Sequence, residues 1–228
     1  FCVRKLQGIL DGAAGRGYRV QVLRLSDLES SRQRPALVDE ASRTDVVALI
    51  CPWVSKGVMQ ELERSNPSLR IVLTHERKEH AEAAYVGFDS FAIGRRAGQW
   101  LFGHGARDVA VVYKDPEALV GVEAEASVRE GDKPRVTGFR WRPGEFCERV
   151  ADFVLTSMPD GMLLTDDRLA IGLFDLLRVK KPELLDALPI VSAANVGDDV
   201  LPDSVARLAI DGYRLGSMCL SVIGDLLE

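Results

Sequence analysis

The sequence predicts an α/β protein made of two open lobes, each with a parallel sheet flanked by helices. Short apolar runs alternate along the chain with segments of helical periodicity of about 10–15 residues, the pattern of βαβ units. The run Val46–Ile50 is continuously apolar, as expected for a strand buried on both faces of a parallel sheet. The same rhythm restarts after Asp89, so the chain divides into two similar halves. A closed β/α barrel usually needs about 250 residues, more than the 228 present.

The first half begins with a helix and then alternates strands with helices. Gly15 and Gly17 follow the first helix and are expected to stop it. Ser55 precedes another helix, whose first turn its hydroxyl can cap. In order, the apolar positions are Val3, Leu6, Ile9, Leu10 and Ala13 (helix), Tyr18–Leu23 (strand), Leu37, Val38 and Ala41 (helix), Val46–Ile50 (strand), Val58, Met59 and Leu62 (helix), Leu69–Leu73 (strand) and Tyr85–Phe88 (a short extended segment).

The second half repeats this order and ends in a helix. Its clearest helix is the one that follows Met162–Leu164, because apolar residues there recur at helical spacing over more than two turns. In order, the apolar positions are Ile93, Ala97, Trp100 and Leu101 (helix), Val109–Tyr113, Val136–Phe139 and Met162–Leu164 (strands, each preceding a helical pattern), Leu169, Leu173, Phe174 and Leu177 (helix), Pro189–Ala193 and Val205–Ile210 (strands), and Leu215, Met218, Val222, Ile223 and Leu226 (helix).

The composition excludes several classes of protein. Apolar residues make up 46% of the chain, close to the share in globular proteins and too high for a disordered one. The net charge is −5 and the longest basic stretch is Arg178–Lys181, so this chain itself lacks the surplus of cations that binding to duplex DNA needs. No apolar run approaches about 18 residues, so we expect no membrane span.

The four cysteines are scattered singly through the chain. Cys2, Cys51, Cys147 and Cys219 form no C-x-x-C pair, which excludes a zinc knuckle and a thioredoxin motif. Separate, reduced and buried thiols are the ordinary interpretation of this spacing. It favours a cytoplasmic protein.

The usual catalytic and cofactor motifs are absent from the sequence. There is no G-x-G-x-x-G fingerprint in the context of a strand followed by a helix, no phosphate-binding P-loop and no G-x-S-x-G elbow. His75 and His80 are five residues apart, which misses the four-residue spacing of a zinc site on a helix. We therefore expect no catalytic residue, no metal and no cofactor.

Two acidic pairs and one basic trio have both an ordinary and a functional interpretation. Asp167 is expected to be a helix N-cap, and the pair Asp198–Asp199 a solvated loop, because neither pair has a histidine or lysine partner in the sequence. The trio Arg140–Arg142, with a tryptophan at its centre, suits either a surface strand end or a clamp on an anion.

Three longer segments, taken together, resemble one protein family. The segment from Tyr85 to Val112 (YVGFDSFAIGRRAGQWLFGHGARDVAVV) is similar to the block V-G-x-D-N-x-x-A-G-R-x-A-x-x-x-L-x-x-x-G-H-R-R-I-A-x-I of the lactose/galactose repressor (LacI/GalR) family of bacterial transcription regulators. The segment from Asp160 to Leu173 resembles the family block D-A-x-F-x-x-N-D-x-x-A-x-G-x. Leu201 to the end resembles the block P-x-L-T-T-V and its following helix, and the first helix with Gly17-Tyr18 resembles G-I-x-x-A-A-x-x-x-G-Y.

This resemblance covers nearly the whole chain and implies both a fold and a function. The fold would be periplasmic-binding-protein-like, type I, with two Rossmann-like lobes, a three-stranded hinge and a ligand cleft between the lobes. The N-terminal lobe would hold residues 1–89 plus 203–228, and the C-terminal lobe residues 90–202. The protein would be a homodimer that senses a small-molecule effector and binds operator DNA through an N-terminal helix-turn-helix domain outside this chain.

Candidate ligand contacts follow from the strand ends. In open α/β sheets, ligands bind beyond the carboxyl ends of the strands, so the residues just after each strand are the candidates. An aromatic ring there can stack on a sugar or base, and a carboxylate or amide can fix hydroxyl groups. These candidates are Trp53, His75, Asp89, Tyr113, Asp166 and Asn195.

The chain departs from the family pattern at two positions that bear on the effector. Ala118 stands where the family has the arginine of R-x-x-G-F, and Ala194 replaces the first acid of V-G-F-D-D. Both replaced residues hold polar groups of an effector in the family. We therefore expect an effector other than a typical hexose, or a cleft without a ligand, and Arg140 or Arg142 is a candidate for the missing guanidinium.

Two other functions remain open on the sequence alone. A periplasmic solute-binding protein of a transporter has the same fold, but it would carry a signal peptide and no dimer interface. An enzyme on an α/β scaffold, such as a hydrolase, would need a nucleophile and a base, and no such arrangement is visible in the sequence. The motif matches favour the regulator.

Overall fold

A computed structural model describes residues 3–23, 33–52, 54–74, 83–141, 147–195 and 201–228. The chain divides into two compact units, Phe1–Phe88 with Asp211–Glu228, and Asp89–Ile210. No helix in the described ranges is both long and apolar enough to cross a membrane.

The helices and strands alternate along most of the chain. The helices are α1 (Val3–Ala14), α2 (Gln33–Ala41), α3 (Lys56–Ser65), α4 (Ser90–Gly103), α5 (Pro116–Ser127), α6 (Cys147–Ser157), α7 (Asp167–Lys180), α8 (Pro182–Ala187) and α9 (Gly212–Leu227). The strands are β1 (Ala48–Cys51), β2 (Arg70–Leu73), β3 (Ala84–Tyr85), β4 (Asp108–Tyr113), β5 (Arg135–Arg140), β6 (Gly161–Leu164), β7 (Ile190–Asn195) and β8 (Val205–Ile210).

The first unit has a parallel sheet in the order β1-β2-β3, covered on both faces. Successive side chains of a strand point to opposite faces. Ile71 and Leu73 of β2 therefore pack in the core with α2 and α3, while Val72 packs with α1 and α9. Ser55 caps α3 as predicted, since its hydroxyl accepts a hydrogen bond from the backbone N–H of Val58 at 3.4 Å.

The second unit has a parallel sheet in the order β5-β4-β6-β7-β8. Val109 and Val111 of β4 pack in one core with α4 and α5, while Ala110 and Val112 pack in the opposite core with α6 and α7. From β4 the chain runs to β5 on one side and then returns to β6 on the other. This reversal of strand order is a topological switch point, where open α/β sheets bind ligands at their carboxyl ends.

The predicted α/β fold, with parallel sheets flanked by helices, is confirmed, but two segments differ from expectation. Residues 18–23 form no strand. β-prone residues form a strand only where a neighbouring strand pairs with them, and the described strands of the first unit pair only with each other. Strand β8 pairs in parallel with β7, from Ile190–Val205 to Asn195–Ile210. It therefore belongs to the second unit, and the boundary expected at residue 203 lies instead at Asp211.

Candidate functional site

The carboxyl ends of β4 and β6 meet at the switch point of the second unit. The backbone N–H of Thr165, just after β6, donates to the carbonyl oxygen of Val112 at 3.0 Å. In return, the backbone N–H of Lys114, just after β4, donates to the hydroxyl of Thr165 at 3.3 Å. These two bonds fix the positions from which the side chains of Lys114 and Asp166 extend.

Asp166 is the centre of a charged cluster at this point. It is the N-cap of α7, and its Oδ1 accepts the backbone N–H groups of Arg168 at 3.0 Å and Leu169 at 3.3 Å. Its Oδ2 accepts from the ammonium of Lys114 and, at 3.1 Å, from the guanidinium of Arg168. Burial raises the pKa of Asp166, but the hydrogen bonds from Arg168 and Lys114 outweigh burial and hold the pKa below its usual value.

Trp141 completes the cluster from the next strand along the sheet. Its backbone N–H donates to the carbonyl oxygen of Tyr113 at 2.8 Å, which continues the pairing of β5 with β4 by one residue. The ammonium of Lys114 lies 4.6 Å from the centroid of the indole ring, within the range of a cation–π contact. The indole Nε1 is buried and has no hydrogen-bond acceptor among the described residues. We call Lys114, Trp141, Asp166 and Arg168 the switch-point cluster.

The chemistry of the switch-point cluster suits binding more than proton transfer. Asp166 stays ionised near neutral pH because its pKa is lowered, whereas a general base or acid needs a pKa near the working pH. Lys114 and Arg168 present N–H donors beside the aromatic ring of Trp141. Convergent polar groups on an aromatic wall are typical of a small-molecule site.

The structure brings some of the predicted ligand residues to this edge. Tyr113 is the last residue of β4, and Asp166 lies two residues after the end of β6, the neighbouring strand. Asn195 is the last residue of β7, where it lies in register with Ile210 of β8. Asp89 is exposed in the described chain and caps α4, accepting the backbone N–H of Ala92 at 2.8 Å.

The remaining predictions at the strand ends meet different outcomes. Trp53 and His75 lie outside the described residues, as does Arg142. Asp167, predicted to be the helix cap, is the first residue of α7 instead, because the carboxylate of Asp166 makes the capping bonds. Arg140 is exposed at the end of β5.

Sequence reasoning missed Lys114, Arg168 and the role of Trp141. The signal was present for Lys114, which directly follows Tyr113 and would have been found by taking two residues after each strand. Arg168 was not identifiable in this way, because it reaches Asp166 from within the first turn of α7. Which of the two neighbouring acids caps a helix decides where this arginine points.

The two alanines that replace family residues are buried. Ala118 lies in α5 and Ala194 in β7, and each is less than 4% exposed. Neither methyl group is accessible to a ligand, so any polar contact to an effector has to come from other side chains.

Thiol or metal chemistry has no support in the described part of the chain. Burial raises the pKa of Cys51 to about 12 and that of Cys219 to about 11, and burial together with the charge of Glu148 also raises the pKa of Cys147. All three thiols are therefore protonated and poor nucleophiles near neutral pH. Among the described residues, no group of three or more histidine, cysteine, aspartate or glutamate side chains is placed to hold a metal ion.

Comparison by sequence identifies no relative. No protein-family model matches the chain, and no curated protein matches it.

Comparison by structure finds transcription regulators along almost the whole chain. A LacI family transcriptional regulator from Enterococcus faecium with bound ribose superposes with a TM-score of 0.74 at 20% identity, over 97% of this chain and 84% of that one. The transcription regulator CcpA of Lactococcus lactis gives 0.75 at 18% identity, over 98% and 85%. A PurR family transcriptional regulator from Vibrio parahaemolyticus gives 0.68 at 17% identity, over 97% and 87%. The chain therefore has the periplasmic-binding-protein-like fold of the effector domains of such regulators.

Proposed function

We propose that this chain is the effector-sensing and dimerising domain of a LacI-type transcription regulator. The observation that carries the proposal is the similarity of fold, since regulators cover 97–98% of the chain. The switch-point cluster adds a ligand-suited group of side chains at the edge where open α/β sheets bind small molecules. The ligand would be a sugar-like or related small metabolite, and the domain would act in the cytoplasm without catalysis.

The proposed mechanism is a shift between conformations of the domain. An effector that binds one conformation more tightly raises its population by that difference in affinity. In a homodimer this changes the spacing of two DNA-binding modules, and paired modules read half-sites at a fixed separation. The helix-turn-helix that would contact operator DNA lies outside these 228 residues.

Exposed apolar residues on α1 support the proposed dimer. Val3 is 81% exposed, and Leu10, seven residues later on the same face of the helix, is also exposed. Apolar side chains spaced along one helix face favour a protein partner. We propose that the partner is a second copy of this chain.

The proposed ligand contacts are those of the strand ends, Trp53, His75, Asp89, Tyr113, Asp166 and Asn195. Asp166 and Asp89 also cap helices, so their removal would lower stability as well as affinity. Tyr113 is the better position for a test. It is half-buried at the end of β4.

The solute-binding alternative receives less support. Several solved structures that match over almost the full chain are transcription regulators, one of them with bound ribose. Another regulator, CelR in complex with cellobiose, matches with a TM-score of 0.75 at 15% identity, over 98% of this chain and 71% of that one.

A thermal-shift screen of this chain tests the function directly. The panel holds pentoses, hexoses and disaccharides, together with their phosphate esters and their sugar acids. A ligand that binds the folded state at 100 times its Kd adds about 2.7 kcal/mol of stability, so a true effector raises Tm clearly. Tyr113→Ala is expected to abolish the shift, while Tyr18→Ala, at a tyrosine outside the strand ends, should retain it.

Two results would contradict the proposal. One is a panel in which no compound raises Tm, and the other is a shift that Tyr113→Ala leaves unchanged.

Light scattering over a range of protein concentrations tests the dimer. A monomer at every concentration would remove that part of the proposal.

A further inference from the structure

We propose that the effector carries an oxyanion, a carboxylate or a phosphate group, and that the switch-point cluster binds it. This inference rests on the proposed function and specifies the chemical class of its ligand. It follows from which hydrogen-bonding groups of the cluster are already used and which remain.

The acceptor of the cluster is fully used within the protein. The two carboxylate oxygens of Asp166 receive two backbone N–H groups, the ammonium of Lys114 and the guanidinium of Arg168, which also donates through Nε at 3.3 Å. A carboxylate has about four lone-pair positions in total. Asp166 therefore has no free position for the hydroxyl of a neutral sugar, and its part in the proposed binding is to hold Lys114 and Arg168 in place.

The donors of the cluster are only partly used. An ammonium has three N–H groups and a guanidinium five, and the contacts to Asp166 occupy a minority of them. The side chain of Lys114 is 29% exposed and that of Arg168 is 74% exposed, so both are accessible to a ligand. The buried Nε1 of Trp141 adds a donor without an acceptor among the described residues.

The unused donors of the cluster therefore match a ligand with negatively charged acceptor oxygens. An oxyanion supplies several acceptors at once and makes charge-assisted hydrogen bonds, which are shorter and stronger than neutral ones. A lone hydroxyl supplies one oxygen and brings a proton that needs an acceptor in turn.

Other charges near the cluster do not change this conclusion. Asp115 caps α5 and accepts the backbone N–H of Glu117 at 3.1 Å, so part of its capacity is also occupied. Asp167 adds a negative charge beside Arg168, and Arg140 adds a positive charge at the end of β5. The two acids exceed the single arginine by one charge, and the cluster itself has one positive charge in excess, so no strong local charge of either sign remains and the unused donors decide the class of ligand.

The indole N–H of Trp141 is the reporter for a direct test. In the ¹⁵N-labelled chain, Trp141→Phe identifies its signal among those of the three tryptophans. The protein is titrated with sodium phosphate and with sodium acetate, and sodium chloride serves as the control at equal ionic strength. We expect a saturable shift of this signal with phosphate, with acetate or with both, and the stronger of the two identifies the anionic group.

Charge-removing variants connect that shift to the cluster. Lys114→Met should weaken anion binding about tenfold or more, because a charge-assisted hydrogen bond is lost. Arg168→Gln, at an exposed side chain where folding is not in question, should weaken it about threefold. Lys133→Met removes an exposed lysine elsewhere and should leave the shift unchanged.

Three outcomes would overturn the inference. They are a Trp141 signal that neither anion shifts, a shift that chloride reproduces, and a shift that survives both Lys114→Met and Arg168→Gln.

The inference and the proposed function can fail separately. A neutral sugar that raises Tm equally in the parent protein and in Lys114→Met would overturn the oxyanion while supporting an effector domain. An anion that titrates Trp141 in a chain that no metabolite stabilises would support the oxyanion site and contradict the effector function.

Discussion

Two helix pairs, one in each unit, are built on the same contact. In the first unit α1 packs along α9, and a Cβ placed on Gly216 of α9 would lie 2.1 Å from the carbonyl oxygen of Lys5. In the second unit α4 packs along α5, and a Cβ placed on Gly94 would lie 2.0 Å from the carbonyl oxygen of Ala118. Real Cβ atoms do not approach an oxygen so closely, so glycine is required where these backbones touch.

The polar links across the two pairs differ. In α4 and α5 the link is the buried Glu125, which accepts from Arg95 at 3.3 Å and from Gln99 at 3.2 Å. Between α1 and α9 one of the polar links is exposed, with the hydroxyl of Tyr213 donating to Asp11 at 3.1 Å.

The comparison indicates which contact such a helix pair requires. Both pairs keep the backbone contact, whereas one adds an ion pair to the buried carboxylate of Glu125 and the other adds the exposed hydroxyl of Tyr213. Close packing of the helices is therefore the shared source of stability, and the polar link is a local addition.

The largest effect is expected from filling the backbone contacts. Gly216→Ala and Gly94→Ala should each destabilise the protein by about 1–3 kcal/mol, because the added methyl forces the helices apart. Gly224→Ala in α9 and Gly103→Ala in α4 are the matched controls, since a Cβ placed on either would meet no atom of another segment closer than 4.0 Å. Alanine there should be neutral or stabilise by up to about 1 kcal/mol. Urea unfolding measures all four.

The rate of alkylation of Cys219 reports whether the α1–α9 pair, rather than the α4–α5 pair, has opened. Its thiol is buried in the core that α9 shares with α1, and burial raises its pKa to about 11. Gly216→Ala should therefore speed alkylation of Cys219, identified by mass spectrometry, while Gly94→Ala should not. Equal stability of Gly216→Ala and Gly224→Ala would show that the helices accommodate the methyl group and that the contact is not required.

These glycines also explain what the sequence could not predict about α1. Apolar periodicity predicts its helix correctly but selects Val3 and Leu10 for the buried face, and both are exposed. The face that packs on α9 instead carries Lys5 and Gly8, together with Ile9. Hydrophobicity does not identify glycine or lysine as interior residues, because it omits the backbone contact that only a small residue permits.

The candidate site, like α1, was predictable in part from the sequence. The rule that ligands bind at strand ends brings Tyr113 and Asp166 to the switch point, because strand positions follow from apolar runs. It does not identify Arg168 or the orphaned indole of Trp141. The position of Arg168 depends on which acid caps α7, which the two backbone hydrogen bonds to Asp166 settle. The position of Trp141 depends on how far the pairing of β5 with β4 extends, which its hydrogen bond to Tyr113 settles.

A smaller effect is expected from removing the buried charge between α4 and α5. Glu125→Gln should cost about 1–2 kcal/mol, because charge-assisted hydrogen bonds become neutral ones. The cost stays below that of a fully buried pair, since the side chain of Arg95 is 47% exposed and regains water. Glu123→Gln, on the exposed face of α5, is the control and should be neutral. An equal loss in both variants, by urea unfolding, would mean that the net charge of α5 matters rather than this pair.

The smallest effect is expected from the exposed link between α1 and α9. The hydrogen bond to Asp11 is the main reason that the pKa of Tyr213 is raised, since Tyr213 donates only while it is protonated. The raised pKa means that this link stabilises the fold below the usual tyrosine pKa of about 10 and loses its effect as pH rises through the folded-state value. The parent protein should therefore have a slightly higher Tm than Tyr213→Phe at pH 8, and the gap should close once the pH has risen past the raised pKa of Tyr213. A gap that persists there would assign the effect of Tyr213 to packing, and the two helix pairs would then differ less than their polar links indicate.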